Sequence, residues 1–251
     1  MNKNLILWLV SAVIIFVFGL AHSVVNQNYP ISGTIGIEGK KITYLFPKTT
    51  QAGEPYSFII RNDHPAVTGY FIFETGDGKK EKVELKKEKE LLTGTIGELA
   101  PGTKIKYSVF LRYGDKTTQI PYNTEVTTQV TGKTGIIIDS LYPFMLFLGL
   151  LLAVRGGLEY FNPNPKFRLY SLMPTMIFIC FGFFVIPVKN FLLLAPPPGV
   201  ILQPSQMFSI ESIFYPLYWI GITILVFFKI KPGLMLLSGS VITILAFMFL
   251  G

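Results

Sequence analysis

Four long apolar segments fill the second half of the chain, at residues 136–154, 169–188, 212–228 and 232–250, and a fifth occupies residues 5–20. The four fall within the roughly 17–25 residues that a helix needs to cross a bilayer. Leu, Ile, Phe and Met dominate them, and the ionisable residues Asp139, Lys189, Glu211 and Lys229 sit at their ends. A soluble helix of that length would show a polar face at a 3.6-residue period, and these segments show none. Residues 33–132 follow a different pattern, short alternating runs broken by Gly, Pro, Asn and Asp. They predict strands over 41–46, 56–61, 69–73, 81–85, 91–96, 104–112 and 117–120. Tyr56, Phe58 and Ile60 alternate with Ser57 and Ile59, the signature of a half-buried strand. Gly76-Asp77-Gly78 and Tyr113-Gly-Asp-Lys116 are turn signals, because Gly and Asp tolerate positive φ. Short strands at this spacing imply an antiparallel β-sandwich.

The pattern therefore predicts a multi-domain membrane protein. Residues 1–23 form a signal anchor or signal peptide, 24–32 a linker, 33–132 a β-sandwich, and 136–251 a four-helix transmembrane bundle. Lys3 precedes the first apolar run, and Ala21-His22-Ser23 offers the small-x-small pattern of a signal-peptidase site. The uncleaved anchor is the reading adopted, giving one N-terminal and four C-terminal spans. Arg155, Lys166 and Arg168 lie in one short connection, Lys229 and Lys231 in another. Short basic loops mark the cytoplasmic side. The N-terminus is then cytoplasmic, with the β-domain and C-terminus extracytoplasmic and a cytoplasmic (inner) membrane as the expected location. Only Lys189 departs from this rule.

Composition agrees, with 50% hydrophobic residues and a formal net charge of +7. That charge does not point to nucleic acid, because the β-domain interleaves both signs and much of the excess belongs to the short basic loops. The charge run from Lys79 to Glu90, with Val83 and Leu85 its apolar positions, reads as an exposed edge strand and turn whose lysines deter edge pairing. The single cysteine, Cys180, lies in an apolar segment, so no intrachain disulfide forms.

One stretch carries a family likeness. Leu99-Ala-Pro-Gly-Thr-Lys-Ile-Lys-Tyr-Ser-Val109 resembles the run into the sixth strand of fibronectin type III domains, Leu-x-Pro-Gly-Thr-x-Tyr followed by alternating apolar residues. Ile105 takes the place of that family's corner tyrosine, and Tyr107 follows two positions later. The resemblance spans roughly residues 33–130 and implies an Ig-like or fibronectin-like sandwich.

Chemistry-bearing patterns are few. His22 and His64 are far apart and lack a cluster of Cys or carboxylates, and His64 reads as a turn residue. Asp77 and Asp115 fall at hairpin tips, and Tyr113 and Tyr122 are single tyrosines. No nucleophile elbow, P-loop or dinucleotide fingerprint occurs, so no catalytic residue, metal site or cofactor is expected. Pro143, Pro174, Pro187 and Pro216 are candidate kinks, while Gly149, Gly182, Gly221 and Gly239 are candidates for close helix approach. The segment Phe191, Leu192, Leu193, Leu194, Pro196, Pro197, Pro198, Val200, Ile201 and Leu202 is apolar yet broken by prolines. It reads either as a loop in the interface or beneath the β-domain, or as a docking surface for another membrane protein.

The expected function is that of a non-catalytic accessory or interaction subunit, with the lipid bilayer and a membrane protein or second copy as partners. The alternative is a small transporter or channel component capped by the β-domain, with a polar lumen drawn from Thr175, Ser209, Thr223, Ser238 and Thr243. A membrane enzyme would instead use Asp139, Lys189, Glu211 and Tyr142.

Overall fold

The computed structural model describes residues 3–25, 31–37, 39–62, 64–74, 78–196 and 199–250. It divides into two compact units. One comprises Met1–Asn26, Thr134–Leu192 and Pro198–Gly251, the other Gln27–Lys133 and Leu193–Pro197.

The β unit holds two sheets in a sandwich-like arrangement. Its strands are β1 (Ile31–Ile37), β2 (Lys40–Phe46), β3 (Thr49–Gln51), β4 (Tyr56–Asn62), β5 (Thr68–Glu74), β6 (Lys80–Glu84), β7 (Lys86–Glu88), β8 (Leu91–Ile96), β9 (Lys104–Tyr113), β10 (Lys116–Ile120) and β11 (Val126–Thr131). One sheet runs β1-β2-β4-β8-β7, the other β3-β11-β9-β5-β6, with β10 also on β9. All pairings are antiparallel except β3 with β11. The long β9 is shared end to end, since β10 pairs with its residues 109–113 and β11 with 104–107.

Alternation dictates which side chains are buried. In β4, Tyr56, Phe58, Ile60 and Asn62 point inward while Ser57, Ile59 and Arg61 face out. Phe58 stacks on Tyr107 at 5.2 Å and meets Phe46 and Phe71 edge-on at 5.3 and 5.2 Å. Each such buried aromatic contributes about 1.5–3 kcal/mol. This cluster fills a core that lacks tryptophan. The buried Asn62 ties down the turn that follows, donating to the carbonyls of His64 and Val67 and accepting from the His64 N–H.

Four strands escape the sequence pattern: β1, β3, β7 and β11. The linker expected over 24–32 is corrected at both ends. A helix continues through Val25 and β1 already starts at Ile31. The Lys79–Glu90 run supplies both β6 and β7, the terminal strands of their respective sheets, and Leu85 between them enters the core. Gly76 and Asp77 lie outside the described residues. The second expected turn is a two-residue hairpin, with Tyr113 opposite Lys116.

The helical unit contains α1 (Lys3–Val25), α2 (Ile136–Leu158), a 3-10 turn at Glu159–Phe161, α3 (Phe167–Cys180), a π turn at Phe181–Val185, α4 (Ile186–Leu194), α5 (Pro204–Met207), α6 (Ile210–Phe227) and α7 (Pro232–Leu250). Among the described residues five helices are long and apolar enough to cross a membrane: Lys3–His22, Ile136–Phe161, Phe167–Leu194, Ile210–Phe227 and Pro232–Leu250. Asn162-Pro-Asn-Pro165 ends the helical run as proline chemistry requires. The core gathers Phe178, Tyr215 and Trp219, with Phe178 stacked on Tyr215 at 4.9 Å.

Small residues set the helix spacing. A β-carbon at Gly182 would overlap the Ser212 carbonyl and the Pro216 ring, and one at Gly157 would overlap Ser240 Oγ. Of the glycines singled out by sequence, Gly149 lies against Phe178, Gly239 makes ordinary contact with Ile222, and Gly221 faces open space.

Candidate functional site

The charged groups of the helical unit gather at its two ends. Near the start of α2, Tyr142, Lys189 and Glu211 meet from three different helices. Lys189 Nζ sits 3.3 Å from the centre of the Tyr142 ring, and the Tyr142 hydroxyl donates to Glu211 Oε2 at 3.3 Å. The ring is braced by Phe181 at 5.2 Å. A cation on the face of a phenol whose edge reaches a carboxylate is a charge-balanced trio. Asp139, grouped with these residues by sequence, is exposed and accepts from Thr134 Oγ1 at 2.5 Å. His22 stacks on Phe247 at 4.3 Å.

The other end holds a pair, one member of which, Arg155, the sequence assigns to a connecting loop. Arg155 lies inside α2, and its Nη2 reaches Glu159 Oε1 at 2.7 Å with both side chains 0% exposed. The same nitrogen donates to Asn4 Oδ1, and the guanidinium stands over Trp8 and Tyr170 at 5.6 and 4.4 Å. Glu159 also accepts from Asn162 Nδ2 at 3.1 Å and from the Lys166 backbone N–H at 2.8 Å. Arg155 Nε and Nη1 are buried without a hydrogen-bond partner among the described residues. The spacing of four between Arg155 and Glu159 was the available signal. It was lost because Arg155 follows the apolar run directly and reads as its flank.

Between these ends, hydroxyl groups join helices. Thr175 Oγ1 lies 2.8 Å from Thr223 Oγ1, and Trp219 Nε1 donates to Thr243 Oγ1 at 2.9 Å. Thr175 and Thr243 are buried, and each also donates to a backbone carbonyl, of Ser171 and Gly239 respectively. Ser238 donates to the Met235 carbonyl. An apolar cleft of about 580 Å³ separates α1 from α2, walled by Ile15, Phe16, Phe144 and Phe147 among others.

The expected docking segment is only partly a loop. Phe191, Leu192, Leu193 and Leu194 complete α4, and Pro197 and Pro198 lie outside the described residues. Leu193 belongs to the β unit, where its carbonyl accepts the Gly132 N–H at 2.6 Å. Leu202 and Pro196 are half-buried. Phe191 and Val200 are exposed, and Ile201 is 93% exposed. Asn190 Nδ2 donates to the Met207 carbonyl at 2.8 Å.

In the β unit, the Tyr56 and Tyr107 hydroxyls lie 2.6 Å apart, and Thr128 Oγ1 is 3.2 Å from the Tyr56 hydroxyl. Burial raises both phenols above their ordinary value of 10.0. Among the described residues no three His, Cys, Asp or Glu side chains come together as a metal site would require.

No protein-family model matches the chain, and no curated protein matches it. Among solved structures the chain is similar to the crystal structure of the Br derivative of BhCBM56. The two are 10% identical with a TM-score of 0.25, over 41% of this chain and 95% of that one.

Proposed function

We propose that the protein is a non-catalytic accessory subunit of a membrane complex, with the five apolar helices spanning the bilayer. The observation that carries this reading is Ile201, 93% exposed beside exposed Val200 in non-helical chain. Irregular backbone is not tolerated against the lipid hydrocarbon, and adjacent apolar side chains are unfavourable in water, so the docking reading is preferred here to a loop lying in the membrane interface. A protein surface satisfies both demands. The partner is therefore a membrane protein that covers residues 200–202.

Orientation follows from the basic connections: Lys166, Arg168, Lys229 and Lys231 face the cytoplasm, with the β unit and C-terminus outside. The strand order supports an Ig-like or fibronectin-like sandwich. β2, β4 and β8 form one layer opposite β6, β5, β9 and β11, and the short β3 pairs in parallel with the last strand. The transporter alternative draws little from Thr175, Thr223, Ser238 and Thr243, which are engaged between helices or with backbone carbonyls; of its five residues only the buried Ser209 hydroxyl has no hydrogen-bond partner among the described residues.

Replacing Val200 and Ile201 by serine tests the reading. Native mass spectrometry of the tagged protein, extracted from its own membrane, is expected to show a stoichiometric second polypeptide that the double variant loses. Retention of that polypeptide by the variant, or a lone homo-oligomer in the native sample, refutes it.

A further inference from the structure

Beyond the C-terminal end of α2, a cavity of about 450 Å³ opens between the start of α3 and the turn joining α6 to α7. Its lining sets Lys166, Arg168 and Lys229 against Phe167, Val226 and Pro232. None of the three cations has a carboxylate within ion-pair distance among the described residues. Glu159, the acid closest to Lys166 in the chain, is already occupied by Arg155, Asn162 and a backbone N–H. The Arg168 side chain and the Lys229 backbone are also held in place. Arg168 stands over the Phe227 ring at 5.2 Å. Lys229 is fixed in the left-handed region at φ 59°, its N–H donating to the Val226 carbonyl at 3.1 Å. Lys231 in the same turn also has positive φ, at 39°. Such backbone is uncommon for lysine and persists where surrounding structure enforces it. Beside the cations, Leu169 and Phe227 leave apolar surface exposed.

We infer that this cavity binds the phosphate headgroup of an anionic phospholipid, whose acyl chains lie along Leu169 and Phe227. The inference rests on the membrane-spanning reading of α3 and α6, not on the accessory role. Three uncompensated positive charges attract a phosphate, and basic pockets between spanning helices suit such headgroups. A zwitterionic headgroup brings its own cation, which the three would repel. A free inorganic phosphate would satisfy the charges but leave the apolar flank uncovered.

The test uses the full chain in mild detergent, titrated separately with phosphatidylglycerol, phosphatidylcholine and inorganic phosphate. Native mass spectrometry counts bound lipid, and thermal unfolding reports stabilisation. Phosphatidylglycerol is expected to bind at least about tenfold more tightly than phosphatidylcholine. The variant K166Q/R168Q/K229Q should lose that preference while melting like the native chain without lipid. A control, K104Q/K116Q/K133Q, removes three β-unit lysines and should keep the preference. Equal affinity for the two lipids, or an unchanged preference in the first variant, overturns the site. Either result leaves the membrane reading intact, since both lipids would still be retained. Inorganic phosphate that displaces phosphatidylglycerol at equal concentration overturns the lipid assignment in favour of a soluble anion.

Discussion

At the scale of single residues, the Arg155–Glu159 pair makes the sharpest demand on the helical unit. Glu159→Gln leaves a guanidinium at 0% exposure without its counter-charge, an expected cost of about 3–5 kcal/mol. Replacing both partners, Arg155→Met with Glu159→Leu, should recover most of that loss because no charge remains buried. Thermal unfolding in detergent distinguishes the cases, and a Glu159→Gln melt no lower than that of exposed Lys133→Gln contradicts the assignment. The β unit offers a pH test. Burial raises Tyr56 and Tyr107 above the 10.0 of an unfolded tyrosine, so the folded state holds their protons more tightly. The stability they contribute is complete below pH 10 and falls as pH rises beyond it. Phenolate absorbance should therefore account for these two tyrosines only as the β unit unfolds. Their appearance before unfolding, in a linear titration of the native chain, would show that they are solvent-accessible.

At the scale of elements, what the sequence made legible follows the strength of its periodicity. β4 and β9 alternate large apolar and polar residues, and both were placed within a residue of their observed ends. β1 reads Ile-Ser-Gly-Thr-Ile-Gly-Ile, where glycines mimic a linker, and its pairing with β2 supplies the order that its composition does not. β11 buries Val126, Thr128 and Val130, but threonine at the inward position disguises the alternation. β3 is three residues long and β7 is wholly charged, so neither carries a pattern of its own. The clusters were less legible than the strands. Lys189 and Glu211 stand at the margins of apolar runs and Tyr142 within one, but their meeting depends on helix rotation, which position in a run does not encode. Helix packing gives a test at this scale. Gly182→Val drives a side chain into the Ser212 carbonyl and the Pro216 ring, and overpacking of this kind costs about 1–3 kcal/mol. Gly221→Ala, with open space around it, should melt within a degree or two of native, at under about 0.5 kcal/mol. Equal effects from the two would mean that the π turn and α6 do not approach as described.

At the scale of the whole molecule, orientation is the property with the simplest readout. In a Cys180→Ser background, Glu54→Cys is expected to react with a membrane-impermeant maleimide in intact cells, and Lys229→Cys only after permeabilisation. The reverse labelling would invert the topology and turn the basic cavity to the opposite leaflet. The π turn at Phe181–Val185 has a consequence on this scale too. A π turn holds one residue more than the α-helical ladder needs, and one residue is about 100° of rotation. The helix that leaves it is thus out of phase with the one that enters. Phe178 sits in the core on the incoming phase, and Lys189 meets Tyr142 on the outgoing one. Deleting exposed Phe184 would bring the two halves into phase and swing Lys189 away from its ring and carboxylate, leaving Phe178 seated. The charge balance at one end of the bundle is therefore tuned by chain length, so a single-residue insertion or deletion can switch it without altering any residue that takes part.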